Sequence, residues 1–177
     1  MFGPKKDKPV NASATGVVNA LKEGAKGVLG IANAVSLAAD GWLDIGWVGE
    51  FPHPNGVEQK VQPEDLAIML RNFNAAAEEK GDSWAGIALY VGHPEIEGKS
   101  ANAPAKAWFK EARIANGVLQ FRPEWAGDGE DLVNSRSFKF VSNYWFGSMD
   151  EGGVYHPHWI QSVGLTNNPV IPQHPLA

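Results

Sequence analysis

Alternate residues from 138 to 146 form a set that only one kind of backbone can use: Phe138, Phe140, Ser142, Tyr144 and Phe146. Period-2 spacing puts all five on one face of a β-strand, whereas a helix would scatter them around its circumference. The spacing predicts a half-buried strand over 137–147, with one hydroxyl among four aromatic rings on the buried face. A hydroxyl on a packed face must find a hydrogen-bond partner or cost free energy. Ser142 therefore reads either as a serine bonded to a neighbouring carbonyl or as a nucleophile held by its strand for a histidine from elsewhere.

A chain of 177 residues that is 44% hydrophobic and carries seven tryptophans can bury a proper core in one domain with a modest extension. Its net charge of −5 gives no reason to expect nucleic-acid binding. There are no cysteines, which excludes disulfides, thiolate metal sites and a thiol nucleophile. No apolar run approaches the roughly 20 residues of a membrane span. Lys5, Lys6 and Lys8 precede a stretch too polar for a secretory signal.

Residues 1–11 read as a basic tail. Over 12–40, Val17, Val18, Leu21, Val28, Ile31, Val35 and Leu37 suit an appended amphipathic helix, weakened by Gly24, Gly27 and Gly30. The domain proper is expected over 42–177. Pro63 opens a helix with Leu66, Met69, Leu70, Phe73 and Ala77 on one face and Gly81 at its end. A strand over 87–91 delivers His93, and Asn116-Gly117 is a hairpin turn between strands on either side. A short helix is expected over 124–134, then the serine strand, then strands through 156–166. With six or seven strands, two or three flanking helices and short connections, the expectation is an α+β fold built on a compact, mostly antiparallel β-barrel.

Among the five histidines, His53 and His174 lie in proline-rich turns, whereas His93 stands where a buried strand ends. His156 and His158, two apart on a strand, point the same way and with His93 and Glu95 could form a metal site. A serine needs a base to act near neutral pH, and a third group orients that base. Asp150, His156, His158, Asn167 and Asn168 all follow the serine strand and are open candidates for it. The chain has no G-x-S-x-G elbow, phosphate loop or dinucleotide fingerprint, and no cofactor is expected.

Five segments in order carry a resemblance: 87–95 with its His93, Ala103-Pro104-Ala105-Lys106-Ala107-Trp108, Glu124-Trp125-Ala126, Phe138-Lys139-Phe140-Val141-Ser142, and Leu165-Thr166-Asn167-Asn168-Pro169. Over roughly 42–172 the chain resembles the Mu-like prophage proteases, the capsid-maturation (prohead) proteases also called phage I-like proteins. The resemblance implies a barrel related to herpesvirus assemblins and a serine endopeptidase inside the assembling procapsid, in the host bacterial cytoplasm. Its substrates would be phage scaffold and major capsid proteins, and often the enzyme itself. The resemblance implies Ser142 as nucleophile and His93 as general base, with Asn167 as the third member. No nucleic acid or membrane partner is implied, and homo-oligomerisation is left open.

The chain departs from the family pattern at Asn143, where proline is common after the serine. Tyr90-Val91-Gly92 stands where an acid commonly precedes the histidine, and Ala107 replaces a glycine. Two alternatives accompany the protease reading: an inactive structural or scaffold module of the same fold, and a metal hydrolase using His93, His156 and His158.

Overall fold

The computed structural model describes residues 28–168 apart from 52, 54, 55 and 97–101. The expected basic tail, the first part of the expected amphipathic helix, His174 and the proline-rich end lie outside the described residues. Among the described residues, nine strands and two α-helices follow one another: β1 (Val28–Ala34), β2 (Leu43–Trp47), β3 (Gly49–Glu50), β4 (Lys60–Val61), α1 (Pro63–Lys80), β5 (Ile87–Val91), β6 (Ala107–Ala115), β7 (Val118–Trp125), α2 (Gly129–Asn134), β8 (Phe140–Met149) and β9 (Tyr155–Thr166). Seven of the strands form one curled sheet in the order β1-β8-β9-β5-β6-β7-β2, and β3 pairs with β4 apart from it.

The expected α+β class and antiparallel bias hold, but the sheet is a half-barrel rather than a closed barrel. Its edge strands β1 and β2 are joined by a tight turn, where Ala38 N–H donates to Trp42 O at 2.7 Å and Leu37 bridges Leu43. That one bridge is not a ladder, so the sheet stays open between them. One pair, β5 with β9, runs parallel. Because β9 comes from the end of the chain and inserts beside β5, this pairing brings distant segments together at the sheet centre.

Two elements form as their residues dictate. Pro63 at the first helical position costs no hydrogen bond, and the Asp65 carboxylate accepts from Gln62 N–H at 2.8 Å. Leu66, Met69, Phe73 and Ala76 then fall on one face and bury against the sheet. The Asn116-Gly117 turn has both residues at positive φ, 52° and 76°, the geometry that lets a two-residue loop match the twist of β6 and β7.

Two expectations are overturned. Where the appended helix was expected, 28–34 is strand β1, antiparallel to β8 with Ala32 opposite Ser142. The glycines at 27 and 30 weaken a helix, and an unpaired edge of β8 offers these residues a ladder instead. The sheet thus takes in residues that precede the expected domain start at 42. The core face of β8 is also the opposite one: Val141, Asn143 and Trp145 are fully buried, while Phe140, Tyr144 and Phe146 are half-buried on the other side. The inward face tolerates Asn143 and Trp145 because each has a distant partner. Asn143 Nδ2 donates to Ile45 O at 2.7 Å and Trp145 Nε1 to Gln59 Oε1 at 2.8 Å. The short helix begins at Gly129, because β7 continues to Trp125.

Candidate active site

Ser142 sits on the face of β8 away from the core, yet it is only 6% exposed. Directly across the ladder lies Gly164 of β9, with Tyr144 opposite Ser162 one step along. On the far side of β9, Tyr90 of β5 pairs with Gly164. Gly92 N–H donates to Leu165 O at 2.9 Å, carrying the parallel ladder one residue past β5. The chain then turns at Gly92, with φ 66°, and His93 folds back over β9.

Gly164 makes room for that imidazole. A Cβ at position 164 would lie 2.8 Å from His93 Nε2 and 2.5 Å from Gly92 O. His93 Nε2 therefore lies over the residue that faces Ser142 across the ladder. Facing Cβ positions in an antiparallel pair are about 4.5–5.5 Å apart, so His93 and Ser142 lie in one neighbourhood on the outer face of the β8–β9 ladder. The structure thus brings His93 and Ser142 to one place.

The other ring nitrogen points elsewhere. His93 Nδ1 is 3.4 Å from Ser162 Oγ, and the Ser162 hydroxyl donates to Glu95 Oε1 in a short contact. Ser162 is 2% exposed, whereas Glu95 lies on the open side of the 93–96 turn, closed by Ile96 N–H donating to His93 O at 3.0 Å. The Tyr144 ring meets His93 edge-on at 6.3 Å between centroids. Partial burial raises the Tyr90 and Tyr144 phenols above their ordinary value, and the Glu95 charge adds to the effect. A cleft of about 190 Å³ opens beside this group, floored by Gly86 and Ala88 and walled by Tyr90, Trp108 and Glu95.

Asn167 is placed differently from the expectation. Its Oδ1 accepts from Lys139 N–H and its Nδ2 donates to Ser137 O, both at 2.9 Å. The amide ties the end of β9 to the entry of β8, and both of its functions are engaged there. The backbone at Arg136 and Gly147, on either side of Ser142 in the sequence, is likewise committed. Arg136 N–H donates to Val133 O at 3.1 Å, and Gly147 packs against the His156–Pro157 backbone within the β8–β9 ladder.

Ser162, Gly164 and Glu95 are the residues that sequence reasoning did not place at the serine. Two small residues at alternate positions of an otherwise bulky strand, Ser162 and Gly164, were the available signal that something lies across that face. Glu95 was singled out only as a candidate metal ligand beside His93, since it is the parallel β5–β9 pairing that brings it to Ser162.

His156 and His158 do point the same way, but they converge on Asp65 rather than on His93. His156 Nδ1 lies 2.9 Å from Asp65 Oδ2 and His158 Nε2 lies 3.4 Å from Asp65 Oδ1. His93 contacts β9 at Ser162, about 13 Å further along the strand by its rise per residue. His156 Nε2 also reaches Asp150 Oδ2 at 3.1 Å, and the same carboxylate accepts from Gly152 and Val154 N–H to close the β8–β9 turn.

The bond to Asp65 raises the His156 pKa against desolvation, with help from Asp150, while burial lowers that of His158 despite Asp65. The signs follow by linkage. A raised histidine contributes stability that is lost as pH climbs from 6.5 through its folded pKa. A lowered one contributes stability that is lost as pH falls from 6.5 through its folded pKa. The melting temperature is expected to peak near pH 6.5. His156→Gln should flatten the alkaline limb and His158→Gln the acidic one in a calorimetric pH series. Unchanged limbs would contradict this assignment.

The family model described as Mu-like prophage I protein, N-terminal domain, matches residues 60–176. The matched span contains His93, Ser142, Ser162, Gly164 and Glu95. No curated protein and no solved structure matches. The chain belongs to the Mu-like prophage I protein family.

Proposed function

We propose that this Mu-like prophage I protein domain is a serine endopeptidase of phage capsid maturation, with Ser142 as nucleophile and His93 as general base. The observation that carries the reading is the placement of the His93 imidazole over Gly164, the residue that faces Ser142 across the β8–β9 ladder. A serine on β8 and a histidine just after β5, on either side of β9 and shielded from bulk water, are groups of the kind that proton abstraction from a hydroxyl requires.

In this reading His93 Nε2 takes the Ser142 proton as Oγ bonds the scissile carbonyl carbon. The same proton passes to the departing amine, and water then releases the acyl group by the reverse sequence. Val91 and Ile96, each 43% exposed on either side of the His93 turn, offer apolar contacts to an extended substrate. The cleft of about 190 Å³ beside Ser162 has room for one side chain. Among the described residues, no helix is long and apolar enough to cross a membrane.

The substrates proposed are the phage scaffold and major capsid proteins, met inside the assembling procapsid. Incubation of the protein with procapsid proteins from its own phage, followed by intact mass spectrometry, should yield discrete fragments that begin at defined peptide bonds. Procapsid proteins that keep their full masses beside folded protein would overturn the reading and favour a structural module.

A further inference from the structure

We infer that Ser162 and Glu95 form a positioning relay that fixes the protonation of His93, with the hydrogen on Nδ1 and Nε2 unprotonated. A serine hydroxyl has one hydrogen, and that of Ser162 is donated to Glu95 Oε1. Only lone pairs of Ser162 Oγ then remain to face His93 Nδ1 at 3.4 Å. For these two atoms to attract, Nδ1 must carry the hydrogen. The opposite tautomer would turn the Ser162 hydroxyl toward Nδ1 and leave its oxygen pressed against a carboxylate oxygen, two acceptors in close contact.

A neutral imidazole has one N–H, so a hydrogen on Nδ1 leaves Nε2 as the base. Nε2 is the ring nitrogen that lies over Gly164, across from Ser142. The catalytic consequence rests on the protease reading. When Nε2 accepts the Ser142 proton, the O–H bond breaks, an N–H bond forms, and the ring becomes an imidazolium whose Nδ1–H still donates to Ser162. Glu95 takes no proton in this step. Its negative charge, passed on through the polarised Ser162 hydroxyl, favours the cation. The phenols of Tyr90 and Tyr144 are titratable groups that feel the Glu95 charge in this cluster. The relay thus does through an interposed hydroxyl what a triad carboxylate does directly, and its carboxylate comes two residues after the histidine. A bond of 3.4 Å is long for a resting hydrogen bond, as such contacts commonly are before substrate arrives.

The test reads the ring directly. In ¹⁵N-labelled protein, imidazole nitrogen spectra distinguish protonated from lone-pair nitrogens, and the His93 signals are identified by their loss in His93→Gln. Wild type should show Nδ1–H and unprotonated Nε2. Glu95→Ala removes the acceptor at an exposed position, which frees the Ser162 hydroxyl to donate to Nδ1 and shifts the hydrogen to Nε2. Fluorophosphonate labelling of Ser142 should then slow by about 10²-fold, less than the ~10⁴-fold cost of a wrong tautomer in a direct triad. Glu95→Gln retains a carbonyl oxygen that can accept the Ser162 bond, so it should keep the wild-type tautomer and recover most of the rate. An Nε2–H wild type, or an unchanged tautomer in Glu95→Ala, would overturn the relay. The expected tautomer in a wild type that never labels would uphold the relay and overturn the protease reading instead.

Discussion

Ser142→Ala is expected to abolish proteolysis, a loss on the order of 10⁶-fold, while the domain stays folded. The magnitude follows from the role: without the oxygen that forms the acyl-enzyme, the histidine beside it has nothing to activate, and residual rate reflects binding alone. The structural cost is small by comparison. The substitution removes one hydroxyl from a nearly buried position on the side of β8 away from Val141 and Trp145, and leaves the strand's packing intact. Stability should change by no more than about 1 kcal/mol, the usual net worth of one neutral hydrogen bond. Cleavage of procapsid proteins, followed by mass spectrometry beside a thermal melt, checks both parts. A cleaving Ser142→Ala protein would remove Ser142 from the chemistry.

Gly164→Ala is the second large effect. Its new methyl group would stand 2.5 Å from Gly92 O and 2.8 Å from His93 Nε2, closer than carbon atoms tolerate. The Gly92 carbonyl is backbone held in the β5–β9 ladder, so the imidazole and its turn must move outward. Misplacement of a catalytic group by about 1 Å can cost 10²-fold, and this substitution is expected to cost at least that. Overpacking should also lower stability by about 1–3 kcal/mol. A variant that loses stability and keeps the wild-type labelling rate would show that His93 does not act from over β9.

These two residues also mark where the sequence was readable. α1 and the Asn116-Gly117 hairpin were legible because their determinants are local: a proline, a carboxylate one turn in, two residues able to adopt positive φ. Ser142 and His93 were legible as candidates because one rides an alternating strand and the other ends an apolar one. The inward face of β8 was not. Four aromatics suggested one side, but the other is made buriable by Gln59 and Ile45, which are 86 and 98 residues from their partners. Strand β1 was hidden for the same reason, since its ladder is with β8, more than a hundred residues away. Asn167 was the third member that the family resemblance implied, among several candidates after the serine strand. Its amide is instead spent on the backbone of Ser137 and Lys139. The carboxylate that does approach His93 belongs to its own turn and acts across Ser162, an arrangement that exists only once β5 and β9 lie side by side.

The most direct test of the central claim is the site of covalent labelling by a fluorophosphonate, located by peptide mass spectrometry on wild-type protein. The reagent phosphonylates a serine whose hydroxyl has been activated by a base and leaves ordinary serines alone. The account predicts one adduct, on Ser142, absent from Ser142→Ala and strongly slowed in Gly164→Ala. An adduct on another serine, or none on the folded protein, would contradict it.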